Sequence, residues 1–395
     1  MKIVITNHEF RAHFPARINY LYKVAKETGH ELKIIELFGK SICYEFSNNI
    51  HDNPDWEILF PNIKNGTLPT SVIEKKLVKR LDEINPDVVM SGMSNFPVGI
   101  IAQRWAKKNN KGIVQFGNAL KTTFKRGWLA NTLKRMMFRN VDAYFCPAPA
   151  WNESMIFWGY KKEEIFYGLN VANNHDWYGV VENVHFKDLP NEYFLTCGRQ
   201  VAMKNLPEFL RCYLEYRKRG GKVPLVMVGE GVVHNELIQI ANNSPWITFL
   251  PFLSHNEMRE VFLQARALFL PSFKEETWGI VANEAMAAGV VVAASQECGC
   301  STTIIKPGYN AFMFDPYDKS QIIETMFQIE RLNISELKQL QDNGRKIIAD
   351  WGVERFAQGA LDACEYAFNN KKKIRSFLDR ILIHFWQGRM NTTNQ

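Results

Sequence analysis

The 395-residue chain contains no apolar run of the roughly 18 residues that a membrane-crossing helix requires. No G-x-G-x-x-G follows a predicted strand, which disfavours a dinucleotide-dependent oxidoreductase. No D-x-D pair occurs either, so nothing supports a carboxylate-held metal clamp. The seven cysteines are scattered and odd in number, with one close pair at Cys298 and Cys300. None has the C-x-x-C or Cys/His spacing of a zinc site, and they read as reduced structural thiols. No nucleic-acid-binding module is present, so nucleic acid is not an expected partner. The opening MKIVITNHEF turns polar too quickly for a signal peptide and reads as a first strand. The expected location is the cytoplasm, with the inner face of the membrane as a peripheral site.

What is present points to two folded domains, since one hydrophobic core rarely serves so long a chain. Hydrophobic residues make up 46% and charged residues 23%, ordinary values for a folded protein. The net charge of +7 is unevenly placed. Lys121, Lys125, Arg126, Lys134, Arg135 and Arg139 fall between positions 121 and 140 with no acid among them. Beyond Asn370 come Lys371, Lys372, Lys373, Arg375, Arg380 and Arg389 against Asp379 alone. Both stretches (121–140 and 371–395) mix cations with Trp, Phe, Leu and Met. That pattern suits an anionic membrane surface or, equally, a solvated helix face.

Short apolar runs alternate with helical patterns. Ile3–Thr6, Leu32–Leu37, Asp87–Met90, Ile113–Phe116, Ala143–Cys146 and Ile165–Tyr167 read as strands, with helices between them. After a polar segment over Asn170–Pro190 a second series begins at Tyr193–Cys197. It continues through Val223–Val228, Ile247–Leu250, Ala267–Leu270 and Val290–Ala293. Such alternation predicts two α/β halves with parallel sheets covered on both faces. The expected divisions are 1–180, 181–350 and a terminal 351–395.

Two loops carry chemistry. Tyr193–Cys197 runs into Gly198-Arg199, and Lys204-Asn205 precede an amphipathic helix beginning near Pro207. Cations at a strand's C-terminal end, beside a helix start, suit a diphosphate; equally, they are surface charges on a turn. The second loop follows the strand Ala267–Leu270 and holds Glu276, Thr277, Trp278, Gly279 and Ile280, with Glu284 in the helix that follows. The amides of Thr277–Ile280 would face phosphates, Glu284 ribose hydroxyls, and Glu276 the sugar. A glycine that admits a phosphate beside a loop carboxylate is hard to explain by packing alone.

These residues, in this order, resemble the retaining glycosyltransferase family 4 of GT-B architecture. Gly198-Arg199 and Lys204-Asn205 resemble its donor-phosphate loop, and Val228-Gly229-Glu230-Gly231 its glycine turn. Glu276 and Glu284 resemble its E-x7-E signature, and Pro307–Phe312 with Asp315-Pro316 its later turn. The resemblance implies two Rossmann-like domains whose parallel sheets face a central cleft. It assigns Arg199, Lys204 and Glu276 to catalysis at the leaving diphosphate and the sugar. Gly198, Asn205, Gly229, Phe252, Thr277, Trp278, Gly279, Ile280 and Glu284 are then donor-binding. Thr277-Trp278 replaces the Gly-Phe of many relatives, which would reshape the sugar pocket. On the acceptor side the candidates are His8, Arg11, His13 and Asn118. A helix near Val353–Phe368 would cross back to the first domain.

The implied reaction moves a sugar from a UDP- or GDP-sugar to a hydroxyl of a glycan or lipid-linked acceptor, with retention and without a metal. A role in cell-surface polysaccharide synthesis goes with it. The alternatives are a non-catalytic nucleotide-sugar-binding partner subunit and a GT-B-shaped epimerase or phosphorylase.

Overall fold

A computed structural model describes residues 1–41, 53–123, 125–178, 186 and 189–389. Two compact units emerge, one of Met1–Val171 with Val353–Gln395 and the other of Ala172–Gly352. The divisions therefore fall at 171/172 and 352/353; the expected boundary at 180/181 lies outside the described residues.

In the first unit the strands are β1 (Lys2–Asn7), β2 (Glu31–Lys40), β3 (Trp56–Lys64), β4 (Val88–Gly92), β5 (Gly112–Phe116), β6 (Ala143–Cys146) and β7 (Ile165–Tyr167). They pair in parallel in the order β3-β2-β1-β4-β5-β6-β7. Every residue of β4, β5 and β6 is buried, as expected of strands covered on both faces. The helices between them are α1 (Phe14–Glu27), α2 (Thr70–Ile84), α3 (Pro97–Lys108), α4 (Trp128–Phe138) and α5 (Asn152–Phe157). The strand β3 was not anticipated. Pro61 interrupts its apolar pattern, and the structure tolerates that proline because β3 is an edge strand, paired with β2 on one side only.

The second unit repeats the plan with β8 (Tyr193–Cys197), β9 (Leu225–Val228), β10 (Ile247–Leu250), β11 (Ala265–Leu270), β12 (Val291–Ser295) and β13 (Ala311–Phe314). Their order, again parallel, is β10-β9-β8-β11-β12-β13. The helices are α6 (Leu206–Lys218), α7 (His234–Ala241), α8 (His255–Gln264), α9 (Val281–Ala288), α10 (Lys319–Arg331) and α11 (Ile334–Ala349). Aromatic rings dominate the core under α6: Phe194, Phe209, Tyr213, Tyr216 and Phe269 are all fully buried. Phe194 and Phe269 meet at 5.1 Å between centroids, which ties β8 to β11. Here the strand order reverses, and open α/β sheets bind ligands at the carboxyl ends of strands at such a switch point.

Two helices complete the first unit. The helix α12 (Val353–Asn369) packs on α1, β5, β6 and β7. It approaches so closely that a Cβ at Gly359 would lie 2.0 Å from the Tyr167 carbonyl oxygen. The terminal segment, expected only as a basic tail, forms α13 (Phe377–Phe385) against α3 and α4.

Candidate functional site

Three loops of the second unit converge at the carboxyl ends of β8, β9 and β11. After β8 the chain turns at Gly198 (φ +126°), and a Cβ on Gly229 would lie 2.1 Å from the Gly198 carbonyl oxygen. Only glycine at 229, itself at φ +122°, lets the two turns approach so closely. Buried Gln200 locks them, donating to Gly229 O at 2.7 Å while its carbonyl meets His234 Nδ1 at 2.7 Å. Phe252 lies two residues past β10, whose Leu250 carbonyl accepts from Gly229 N at 2.9 Å. Phe273 N donates to Met203 O at 2.8 Å, joining the loop after β11 to the one after β8.

That junction brings Lys204 and Glu276 into an ion pair, with side chains 16% and 14% exposed. Burial opposes the Lys204 charge, but the Glu276 carboxylate more than offsets it. The ammonium is consequently held above its ordinary range and stays protonated at neutral pH. Cys197 is pushed up by burial and then by the Glu284 charge, with Lys204 pulling the other way. Cys300 is raised by its hydrogen bond to Cys298, by burial and by the charges of Cys298 and Glu276. Lys204 and Glu284 thus sit within electrostatic reach of Cys197, and Glu276 within reach of Cys300. Arg199, half-exposed, follows Gly198 in the same loop.

The start of α9 supplies the third component. Gly279 (φ +89°) lies against Cys300, Leu270 and Glu276, whose atoms would be 3.6–3.8 Å from a Cβ there. The loop after β12 grips this turn, with Gly299 N donating to Glu276 O at 3.0 Å and Cys300 N to Trp278 O at 2.8 Å. No side chain caps α9, and the amides of Thr277, Gly279 and Ile280 donate to no acceptor among the described residues. Such an end is suited to an anion.

Two donor-side candidates are buried. The Trp278 ring is 3% exposed, packs 5.4 Å from Trp351, and donates to Asn283 Oδ1 at 2.9 Å. The Asn205 side chain is buried and reaches Pro316 O at 3.3 Å, while its left-handed backbone (φ 53°) turns the chain into α6. Sequence reasoning overlooked Gln200, His234 and the lining thiols. Ser272, whose buried hydroxyl has no partner among the described residues, carried no signal beyond its place in Pro271-Ser272.

The acceptor-side candidates belong to the first unit. Arg11 is buried, bonded to Glu36 and donating to Phe38 O at 3.0 Å, so it holds the loop after β1 and presents no free cation. His8 lies parallel to Phe38 at 6.3 Å and edge-on to Phe96 at 5.8 Å. Its Nε2 is buried without a partner among the described residues, and burial pushes its pKa down to about 4. His13 precedes α1 and accepts from Arg17 N through its carbonyl at 3.3 Å. Asn118 follows β5, its carbonyl accepting from Trp151 Nε1 at 2.9 Å.

Two parallel sheets, each with a topological switch point, and a cationic strand-end site at the second one define a GT-B protein. The comparisons with known proteins agree. Residues 181–347, most of the second unit, match the sequence model of the family described as glycosyl transferases group 1. An uncharacterized glycosyltransferase of Bacillus subtilis (strain 168), YqgM, is 28% identical over 116 residues. The aligned stretch covers 29% of this chain and 32% of that relative, under a third of its length. A glycosyltransferase from Rickettsia africae has the same fold with a TM-score of 0.73 at 12% identity, covering 93% of this chain and 99% of that one. HepE of Anabaena, solved in complex with UDP and glucose, gives 0.71 at 13% identity over 92% and 99%.

Proposed function

We propose that this protein transfers a sugar from a nucleoside-diphosphate donor to a hydroxyl of a glycan or lipid-linked acceptor. The observation that carries this reading is the Lys204–Glu276 pair beside the uncapped start of α9, at the β8/β11 switch point. A diphosphate there would draw on Lys204, Arg199 and the amides of Thr277, Gly279 and Ile280, so that negative charge on the departing nucleotide is neutralised as the glycosidic bond breaks. Glu276, already tied to Lys204, would orient the sugar hydroxyls, and Glu284 the ribose. Because side chains and amides supply the neutralisation, no metal is required. The UDP and glucose bound by HepE support a UDP-sugar, with a GDP-sugar the other choice. Retention of configuration and a part in cell-surface polysaccharide synthesis belong to the same proposal.

The test is a panel of nucleotide sugars followed by thermal denaturation, since a bound donor raises the melting temperature with its affinity. Donors that do so are then incubated with and without acceptor, and the product's anomeric configuration is read by NMR. Transfer that needs acceptor and survives chelator supports the proposal. Conversion without acceptor identifies an epimerase, and binding without turnover a silent partner subunit.

A further inference from the structure

The helix α13 buries one face and leaves an apolar one exposed. Its Asp379 and Ile383 are buried against the first unit. The opposite arc exposes Phe377 (73%), Leu378 (65%), Ile381 and Phe385 (70%), placed by helical spacing on one continuous stripe. The helix α4, against which α13 packs, exposes Trp128 (79%) and Leu129. Large aromatic side chains lined up in water mark a surface that something covers.

The charge around them identifies what. Arg139 holds Asp379 with two hydrogen bonds, at 2.9 and 2.6 Å, and Asn140 adds a third at 2.9 Å. Asp379, the one carboxylate among the described residues 371–389, is therefore fully buried and neutralised. Lys373, Arg375 and Arg380 remain exposed on α13 and the loop before it, as do Lys125 and Arg135 beside or on α4. A cavity of about 740 Å³ beside α13 is lined by Lys108, Lys111, Lys371, Lys373 and Arg380 against the carboxylates Glu74 and Asp82. A second protein would need carboxylates to face these cations and an apolar patch to match. A bilayer with anionic headgroups offers both, continuously.

We propose that α13, with the exposed part of α4, lies in the interface of an anionic phospholipid bilayer. The apolar stripe enters the acyl boundary while Lys373, Arg375 and Arg380 pair with headgroup phosphates. At nine residues α13 is far too short to span, and no described helix is long and apolar enough to cross a membrane. The proposal stands on the first unit alone and does not depend on the transfer reaction.

The full chain is floated with vesicles of phosphatidylcholine alone and with about 30% phosphatidylglycerol. Wild type should float with the anionic vesicles and lose most of that binding in high salt. The double variant Phe377→Asp/Phe385→Asp should lower partitioning about 100-fold or more. Lys373→Glu/Arg380→Glu should weaken binding to the anionic vesicles alone. Ile334→Asp, at an exposed position of the second unit (88%), should change nothing. Melting temperatures equal to wild type establish that the variants fold. Wild type remaining with the unbound fraction, variants floating as well as wild type, or a lipid-free dimer abolished by the aspartates would each overturn the proposal. Failure of sugar transfer with flotation intact would remove only the enzymatic reading.

Discussion

Lys204 and Glu276, 72 residues apart in the chain, form an ion pair that fastens the loop after β8 to the loop after β11. Each is more than four-fifths buried, so neither charge is tolerable without the other. The pair gives the site one cation and one carboxylate at fixed positions.

Replacing Lys204 by Ala should lower kcat/KM for sugar transfer by about 100- to 1000-fold, the range for losing one preorganised electrostatic contact to a developing anion. The donor-induced rise in melting temperature should shrink in parallel. Steady-state kinetics and donor titration by thermal denaturation check both. Wild-type turnover in the variant would remove Lys204 from the mechanism.

Gly229→Ala tests the turn itself. The added Cβ would sit 2.1 Å from the Gly198 carbonyl oxygen at a φ of +122°, so the backbone must move. We expect a loss of about 2–3 kcal/mol in urea unfolding and weaker donor binding. Gly127→Ala, where a Cβ meets nothing within 4 Å, is the matching control.

His8 sets a pH dependence. Its imidazole titrates near 6.5 when unfolded, whereas burial holds it neutral to about pH 4 in the fold. Between those values the unfolded chain binds the extra proton. This contribution to stability is therefore complete above about pH 6.5 and declines as pH falls toward 4. The slope is at most about 1.4 kcal/mol per pH unit. His8→Phe should flatten that slope in chemical denaturation at pH 5 and 7, and an unchanged slope would refute the assignment.

Asp379→Ala should release α13, because it leaves the Arg139 guanidinium without its carboxylate and reduces Asn140 Nδ2 to its bond with Met136 O. Breaking such a pair costs about 3–5 kcal/mol, which exceeds what a nine-residue helix retains unaided. Hydrogen exchange should rise over 377–385 while the second unit keeps its protection.

Much of this was legible in the chain itself. The alternation of apolar runs with amphipathic segments specified a parallel α/β architecture, because strands buried on both faces cannot alternate polar with apolar. Gly198 and Gly229 were legible as members of strand-end loops and Gly279 as the start of a helix, while the left-handed backbone each adopts appears only in the fold. Of the four edge strands, β7 and β10 were legible as apolar runs, whereas β3 and β13 were not: Pro61 interrupts β3, and β13 follows directly on the Pro307–Asn310 turn.

Sequence by itself determined the two-unit plan and the residue types at the strand ends, since periodicity and local backbone demands are properties of short segments. Only the tertiary structure decided which charges are available for chemistry. It joined Lys204 to Glu276, withdrew Arg11 into a pair with Glu36, and turned the Trp278 ring toward Trp351. It also neutralised Asp379 on the buried face of α13, leaving an apolar, cationic surface where the sequence showed a basic tail. Pairing and burial between distant segments depend on where the folded chain brings them, and no local pattern encodes that.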